Sequence, residues 1–529
     1  MRLSRLSPFL RRALTPSFAD LLCASLIGWL FVASHGWSAL LADGDTGWHI
    51  RTGEWILQHH AVPTTDPFSF TRAGAPWFAW EWLSDVLMAP VHARWGLAGI
   101  VVLAGCVVCL AALVLFRHML WRGANVLAAL VVVLLAVGAS SIHFLARPHV
   151  FTLLLVAVSL WTVERDRRRP GRAVWLLLPL SVLWINLHSG FFVLPACLAV
   201  LAAGLAIEAW LNPQPAPSRW TAARRYAVLS AATLGASLLN PYGFALHRHV
   251  ARFLTSDWIR NSVDEFQSPR FRSENLLQFE LLLLSALLLA GWLFSRRRVA
   301  DALLVVFWAH LALGSVRHVP VFVLVSGPLV AVELSRLWEQ WAGRRSPQAV
   351  GRILWKLGTE FRPSFGRSSL WTPVLVAAVI WATSAARWPS DFPAEKFPVS
   401  MVSAELSRLS GARVFTSDQW GDYLIYRGWP SQRVFIDGRS DFYGPSVGKD
   451  YLRLMGGRPG WENLLRDYRI GLALVPADWP LRSLLAGVPG WQLVRSDRLA
   501  ALYARSTEDQ PHAPAPHHPI VKSVLHSVF

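Results

Sequence analysis

Eleven apolar stretches run through the first three quarters of the chain, at about 19–41, 97–116, 124–141, 148–163, 173–187, 190–210, 226–240, 276–294, 301–314, 319–337 and 370–386. A helix of about 20 apolar residues crosses a hydrocarbon core of about 30 Å, so the pattern predicts about 11 transmembrane helices. The polar segments between them sort into two sets. With the N-terminal RLSRLSPFLRR on the cytoplasmic side, RHMLWRG, ERDRRRPGR, PSRWTAARR, SRRR and the long WEQWAGRRSPQAVGRILWKLGTEFRPSFGRSS fall on that side too. All are rich in Arg, as the positive-inside asymmetry of membrane proteins requires. The alternate set holds the His- and carboxylate-bearing motifs: DGDTGWHIRTGEW through EWLSD, HFLARPH, NLHSG, NPYGFALHRH through SPRFRSEN, and SVRHVP. Ionisable residues gathered on one face of a membrane bundle point to a single extracytoplasmic site.

Past the last apolar run the pattern changes. Short β-rich stretches, ARVFTS, QRVFIDG and GLALVPAD, alternate with helix-forming ones such as QWGDYLIYR, which predicts a small α/β domain over 387–505. An odd number of crossings places it outside the cytoplasm. The expected organisation is thus a basic cytoplasmic N-terminus at 1–18, a membrane domain at 19–386 with its first outer loop at about 42–96, the α/β domain, and a Pro- and His-rich disordered tail at 506–529. The segment DLLCASLIGWLFVASHGWSALL lacks an A-x-A cleavage site and is longer than a signal-peptide core, so it reads as an uncleaved first helix.

Composition agrees with this pattern: 53% of the 529 residues are hydrophobic and 28 are Trp. The net charge of +18 comes from Arg in short loops, so it reports topology and not a nucleic-acid partner. Cys23, Cys106, Cys109 and Cys197 all lie in apolar runs, so no disulfide framework is implied.

The first outer loop opens with Asp43 and Asp45. If a helix begins near Thr46, Asp45 is its N-cap and shares a face with His49, while Glu81 and Asp85 stand one turn apart farther on. Trp48 and Trp55 suit the lipid interface. A carboxylate at this level can serve as general base toward a hydroxyl or hold a divalent cation against a phosphate. Arg147, His149, His188, Arg317 and His318 on other outer segments supply the cations that a lipid phosphate needs. In the α/β domain, Asp418 and Asp422 follow one strand end, and Asp437, Arg439 and Asp441 stand exposed beyond another, where an acceptor can bind. Asn186 and Asn240 read as hydrogen bonders at helix ends.

The strings GDTGWHIRTGEWIL, DPFSFT, EWLSD, SVRHVP and VFIDGRSDFYG, in this order along a many-helix chain, resemble the GT-C superfamily of polytopic membrane glycosyltransferases, and within it bacterial glycosyltransferase-like proteins related in architecture to protein mannosyltransferases and lipid A sugar transferases. The resemblance implies transfer of a sugar from a polyprenyl-phosphate donor to an extracytoplasmic glycan, lipid or protein, in the bacterial inner membrane. It makes Asp43 and Asp45 the candidates for general base or cation-binding carboxylate, with Asp45 favoured as base and His49 orienting it. Arg317, His318 and Arg147, with His149 and His188, would meet the donor phosphate. A divalent cation, Mg2+ or Mn2+, is needed by some members and not by others. A transporter or lipid flippase is the first alternative, to which Glu208 and His310 near helix ends speak, and a noncatalytic partner in envelope polysaccharide assembly is the second.

Overall fold

A computed structural model describes residues 17–32, 36–211, 217–272, 276–365, 371–382 and 388–506, with Ser7, Leu14, Thr15 and Ser369 besides. The expected disordered tail and most of the basic N-terminus lie outside the described residues.

Every apolar run falls on a helix. In chain order these are α1 (Phe18–Val32), α2 (Asp45–His59), α3 (Trp82–Arg122), α4 (Val126–Ser140), α5 (His149–Arg168), α6 (Leu177–Leu187), α7 (Val193–Leu211), α8 (Pro217–Ala236), α9 (Phe244–Thr255), α10 (Asp257–Ser262), α11 (Leu276–Ser295), α12 (Val299–Gly314), α13 (Val319–Gly343), α14 (Val350–Phe365) and α15 (Trp371–Ala382). Among the described residues, five helical segments are long and apolar enough to cross a membrane: 82–122, 126–143, 189–211, 276–295 and 316–343. The chain is therefore a multi-pass membrane protein. Helix α11 shows the pattern, packing Phe279, Leu282, Ala286 and Leu293 inward while Leu277, Leu281, Leu284 and Leu288 stay exposed. Such an apolar outer face is stable only against lipid. Within the first apolar run, Phe18–Val32 are helical and Gly36–Ala39 form a 3-10 turn.

Local chemistry sets the joints. Gly96 takes φ 59° inside α3, a conformation that glycine adopts without a Cβ penalty, and divides its first 14 residues from the apolar remainder. Asn125 caps α4 by accepting the Leu127 N–H at 3.0 Å.

At the end of the bundle where the Arg-rich segments lie, ion pairs tie the helices together: Arg122 to Glu164 at 3.3 Å, Arg167 to Asp301 at 2.6 Å, Arg298 to Glu333 at 2.8 Å and Arg225 to Asp166 at 2.8 Å. The His- and acid-bearing segments meet at the other end.

The C-terminal unit comprises α16 (Val399–Leu409), β1 (Val414–Phe415), α17 (Asp418–Gly428), α18 (Ser440–Met455), α19 (Trp461–Asp467), β2 (Leu472–Pro476), α20 (Pro480–Gly487), β3 (Trp491–Ser496) and β4 (Ala500–Arg505). Its sheet has the order β1-β2-β4-β3, with β1 parallel to β2 and the other pairs antiparallel. The closing hairpin of β3 and β4 was not among the expected strands. QRVFIDG, expected as a strand, joins no ladder: Val434 makes single bridges to Val414 and to Ser69 of the first outer loop. That stretch is a tie between the two parts of the chain. Helix α17 seats directly on α2, where Gly47 faces Asp422 and Tyr426 so closely that a Cβ would lie 2.8 Å from each.

Candidate functional site

The crossing of α2 and α3 brings the acids together. A Cβ at Gly53 would collide with the Asp85 carbonyl, so the missing side chain lets the two helices touch one turn beyond His49. Around them, residues from five outer segments and the C-terminal unit line one cavity of about 770 Å³. Asp43, Asp45, Glu81, Arg147, His149, His188, Arg317, His318, Asp418, Arg439 and Asp441 all reach its wall. Thus the first-loop acids share one pocket with Arg317 and His318.

Arg147 is the hub. Its guanidinium lies 2.7 Å from Asp43 Oδ2, 2.6 Å from Asp45 Oδ2 and 3.2 Å from Glu265 Oε1. Burial opposes ionisation of Glu265, yet Arg147 and Arg317 together hold its carboxyl below the ordinary value. Burial pushes the Asp45 carboxyl up to about 7 against the pull of Arg147, with Asp43 and Glu265 adding to the rise. Arg317 is different: its guanidinium stacks 4.4 Å over Phe266, and Nη1 is buried without a hydrogen-bond partner among the described residues. A buried donor left unpaired is costly, and an anion in the cavity would satisfy it.

Several expectations change. Asp45 is not an N-cap: it is the first residue of α2, and Asp43 Oδ1 accepts its backbone N–H at 2.9 Å. Trp48 is buried at the cavity wall and does not face lipid. Asp437 and Arg439 are buried, not exposed, because Arg439 pairs with both Asp437 (2.6 Å) and Asp66 (2.9 Å) inside a cage of Trp48, Phe68, Trp77 and Phe442. Asp422 is also buried, accepting the Gly438 N–H at 2.9 Å. Asp422 and Asp437 therefore sit behind the wall, whereas Asp418, Arg439 and Asp441 reach it. His249 holds Asp441 at 2.9 Å. His149 donates to the His143 carbonyl at 2.6 Å, and His318 Nδ1 lies 3.2 Å from the Leu311 carbonyl. Asn186 and Asn240 hydrogen-bond helix-end carbonyls, as expected.

Glu265 and Asp66, the anchor of Arg439, belong to the site without being among the residues expected from sequence. Glu265 belongs to an Asp-Glu pair in an outer segment, a signal of the same kind as those selected elsewhere. Asp66 opens DPFSFT, one of the strings that carry the resemblance, which is the signal that could have found it.

The residues present do not fit a divalent cation at Asp43 and Asp45. Three of their four oxygens are engaged by Arg147 and by backbone, and Asp45 Oδ1 is enclosed. A guanidinium stands where a metal would need open carboxylates.

No protein-family model matches the chain, and no curated protein matches it. Solved structures do. The archaeal oligosaccharyltransferase AglB from Archaeoglobus fulgidus, in complex with an inhibitory peptide and a dolichol-phosphate, aligns at TM-score 0.51 and 12% identity over 94% of this chain and 74% of its own. ArnT from Cupriavidus metallidurans bound to undecaprenyl phosphate aligns at TM-score 0.47 and 11% identity over 93% of this chain and 98% of its own, and apo ArnT at 0.48 and 12% over 90% and 98%. At such identities a likeness speaks of fold alone, and this chain shares the fold of the AglB structure.

Proposed function

We propose that the protein transfers a sugar from a polyprenyl-phosphate donor to an extracytoplasmic acceptor, at the cavity where the first outer loop meets the C-terminal unit. The observation that carries this reading is the convergence in one pocket of a wall of acids with Arg147 and with Arg317, whose Nη1 has no hydrogen-bond partner among the described residues. The GT-C fold supports it, since the AglB structure that shares the fold holds a dolichol-phosphate. In the bacterial cytoplasmic membrane the Arg-rich segments would face inward and the cavity outward, with 19–386 as the membrane domain and 387–505 as an outer domain.

Arg147 and Arg317 receive the negative charge that develops on the departing phosphate, within a buried site where such charge is stabilised strongly. Asp43 and Asp45 act as cation-binding carboxylates whose cation is the Arg147 guanidinium; they aim it and keep it charged. Asp418 and Asp441, with Arg439, border the acceptor side.

The test follows label lost from a panel of polyprenyl-phosphate sugars in membranes carrying wild type, Asp45→Asn or Asp43→Asn. Transfer by wild type that collapses in a normally expressed Asn variant supports the reading. Equal transfer by all three would remove the first-loop acids from the mechanism.

A further inference from the structure

Sugar transfer needs a group to take the acceptor's proton, and Asp45 is poorly placed for it. Arg147 holds Oδ2, and Oδ1 is enclosed beside Gly438, whose Cβ, were there one, would collide with it. Glu81 stands on the same cavity wall at the start of α3, with a side chain 10% exposed and both oxygens facing imidazoles.

The tautomers follow from the hydrogen bonds. His188 Nδ1 accepts the Gly190 N–H at 2.9 Å, so its own proton sits on Nε2, 3.2 Å from Glu81 Oε1. Thr152, whose oxygen accepts the Trp184 indole N–H at 2.8 Å, turns its hydroxyl proton to the same His188 Nδ1 at 2.9 Å. Nothing fixes His49 in this way. Its Nδ1 lies 2.7 Å from Asp85 Oδ1, and its Nε2 lies 3.3 Å from Glu81 Oε2, a contact without full hydrogen-bond alignment. A fully buried imidazole between two carboxyls has two arrangements with the same number of protons. In one, Asp85 carries a proton donated to Nδ1 and the Nε2–H points at an ionised Glu81. In the other, Glu81 carries the proton, Nε2 accepts it, and Nδ1–H points at an ionised Asp85. Passing between them moves a proton two residues deeper without changing the net charge.

Resting on the sugar-transfer reading, we infer that Glu81 is the catalytic proton acceptor and that His49 and Asp85 form a relay behind it, holding a proton at Asp85 while Glu81 is ionised. As the acceptor oxygen bonds to the anomeric carbon, the bond from that carbon to the phosphate oxygen breaks and its electron pair leaves with the phosphate. The hydroxyl proton goes to Glu81 and returns to solvent through the cavity. Around Glu81 the other charged groups are Arg147 and Arg317, which favour ionisation, and Asp45 and Asp441, which oppose it. Burial outweighs them and pushes its carboxyl up to about 8, near the range where a base works best at neutral pH. Burial, together with Arg147, His188, His149 and Arg439, keeps His49 neutral, as a relay imidazole must be.

The experiment uses the full chain in lipid nanodiscs. Infrared difference spectra of wild type against Asp85→Asn at neutral pH should show a protonated-carboxyl C=O band that the substitution removes; spectra without that difference overturn the relay, whether or not a donor sugar has been found. Where transfer is measured, Glu81→Gln should lower kcat by at least about 100-fold while undecaprenyl phosphate still quenches tryptophan fluorescence as in wild type. Asp85→Asn, whose amide imitates the protonated acid and holds the His49 Nε2–H toward Glu81, should move the acid limb of kcat to lower pH, whereas Asp85→Leu, which cannot hold the imidazole, should lower kcat at every pH. Glu81→Gln with wild-type kcat, or an Asp85→Asn profile identical to wild type, overturns the assignment. No transfer by wild type with any donor would sink the sugar-transfer reading and leave the infrared arm to decide the relay.

Discussion

Replacing Arg147 by Ala removes the one guanidinium that three acids share, at 2.6, 2.7 and 3.2 Å. Breaking a buried ion pair by deleting one partner costs about 3–5 kcal/mol, because the remaining charge is stranded away from water. Here Asp43, Asp45 and Glu265 are stranded together, so the loss belongs at the upper end of that range and part of it is relieved by proton uptake. Removing a cation from the departing phosphate adds a kinetic loss of roughly 100- to 1,000-fold. Arg147→Lys keeps the charge but not the planar fork that reaches three carboxylates at once, and should fall between. The deletion also opens the acid cluster, so Mn2+ or Mg2+ should raise the melting temperature of Arg147→Ala and leave that of wild type unchanged. The assay is fluorescence-detected size-exclusion after heating, beside sugar transfer in the same membranes. An Arg147→Ala protein that melts with wild type and transfers within about tenfold of it would refute the hub role of this residue.

Other expected outcomes follow from the same geometry. Chelation with EDTA should leave wild-type transfer unaltered, since Arg147 occupies the first-loop carboxylates; activity lost on chelation and restored by a divalent ion would contradict this. Gly438→Ala places a methyl group against Asp45 Oδ1 and should destabilise the protein by about 1–3 kcal/mol, read as a lower melting temperature, with transfer reduced in the surviving fraction. Arg317→Gln should weaken undecaprenyl phosphate binding with little change in melting temperature, because its Nη1 has no hydrogen-bond partner among the described residues to lose; unchanged affinity would remove Arg317 from the phosphate site. The Glu81 carboxyl is raised from 4.5 to about 8 in the fold, so the folded state binds the extra proton between those values and stability falls as pH rises through that window. Glu81→Gln should flatten this slope, and an unchanged slope would place the titration elsewhere.

The apolar runs determined the helices, because a stretch of that length has one stable form in lipid, and the Arg-rich segments sorted the two faces by charge alone. The chain also displayed its acids, histidines and Asp-Gly-Arg turn as residue types. Which of them meet was a matter of tertiary structure. Asp45 and Arg147 are 102 positions apart in the chain and touch through a 2.6 Å ion pair, and Glu265 joins them from another outer segment 118 positions beyond Arg147. Helical spacing put Asp45 and His49 on one face, but only the close crossing at Gly53 turned His49 toward Asp85 instead. Burial worked likewise. Asp437 and Arg439 lie beside a polar turn that reads as exposed, and the docking of the first loop, with Asp66, Phe68 and Trp77, enclosed them. Short-range pattern decides which elements form, since each backbone must satisfy its own hydrogen bonds; charges find their partners only when elements distant in sequence pack, and that packing set the chemistry of this cavity.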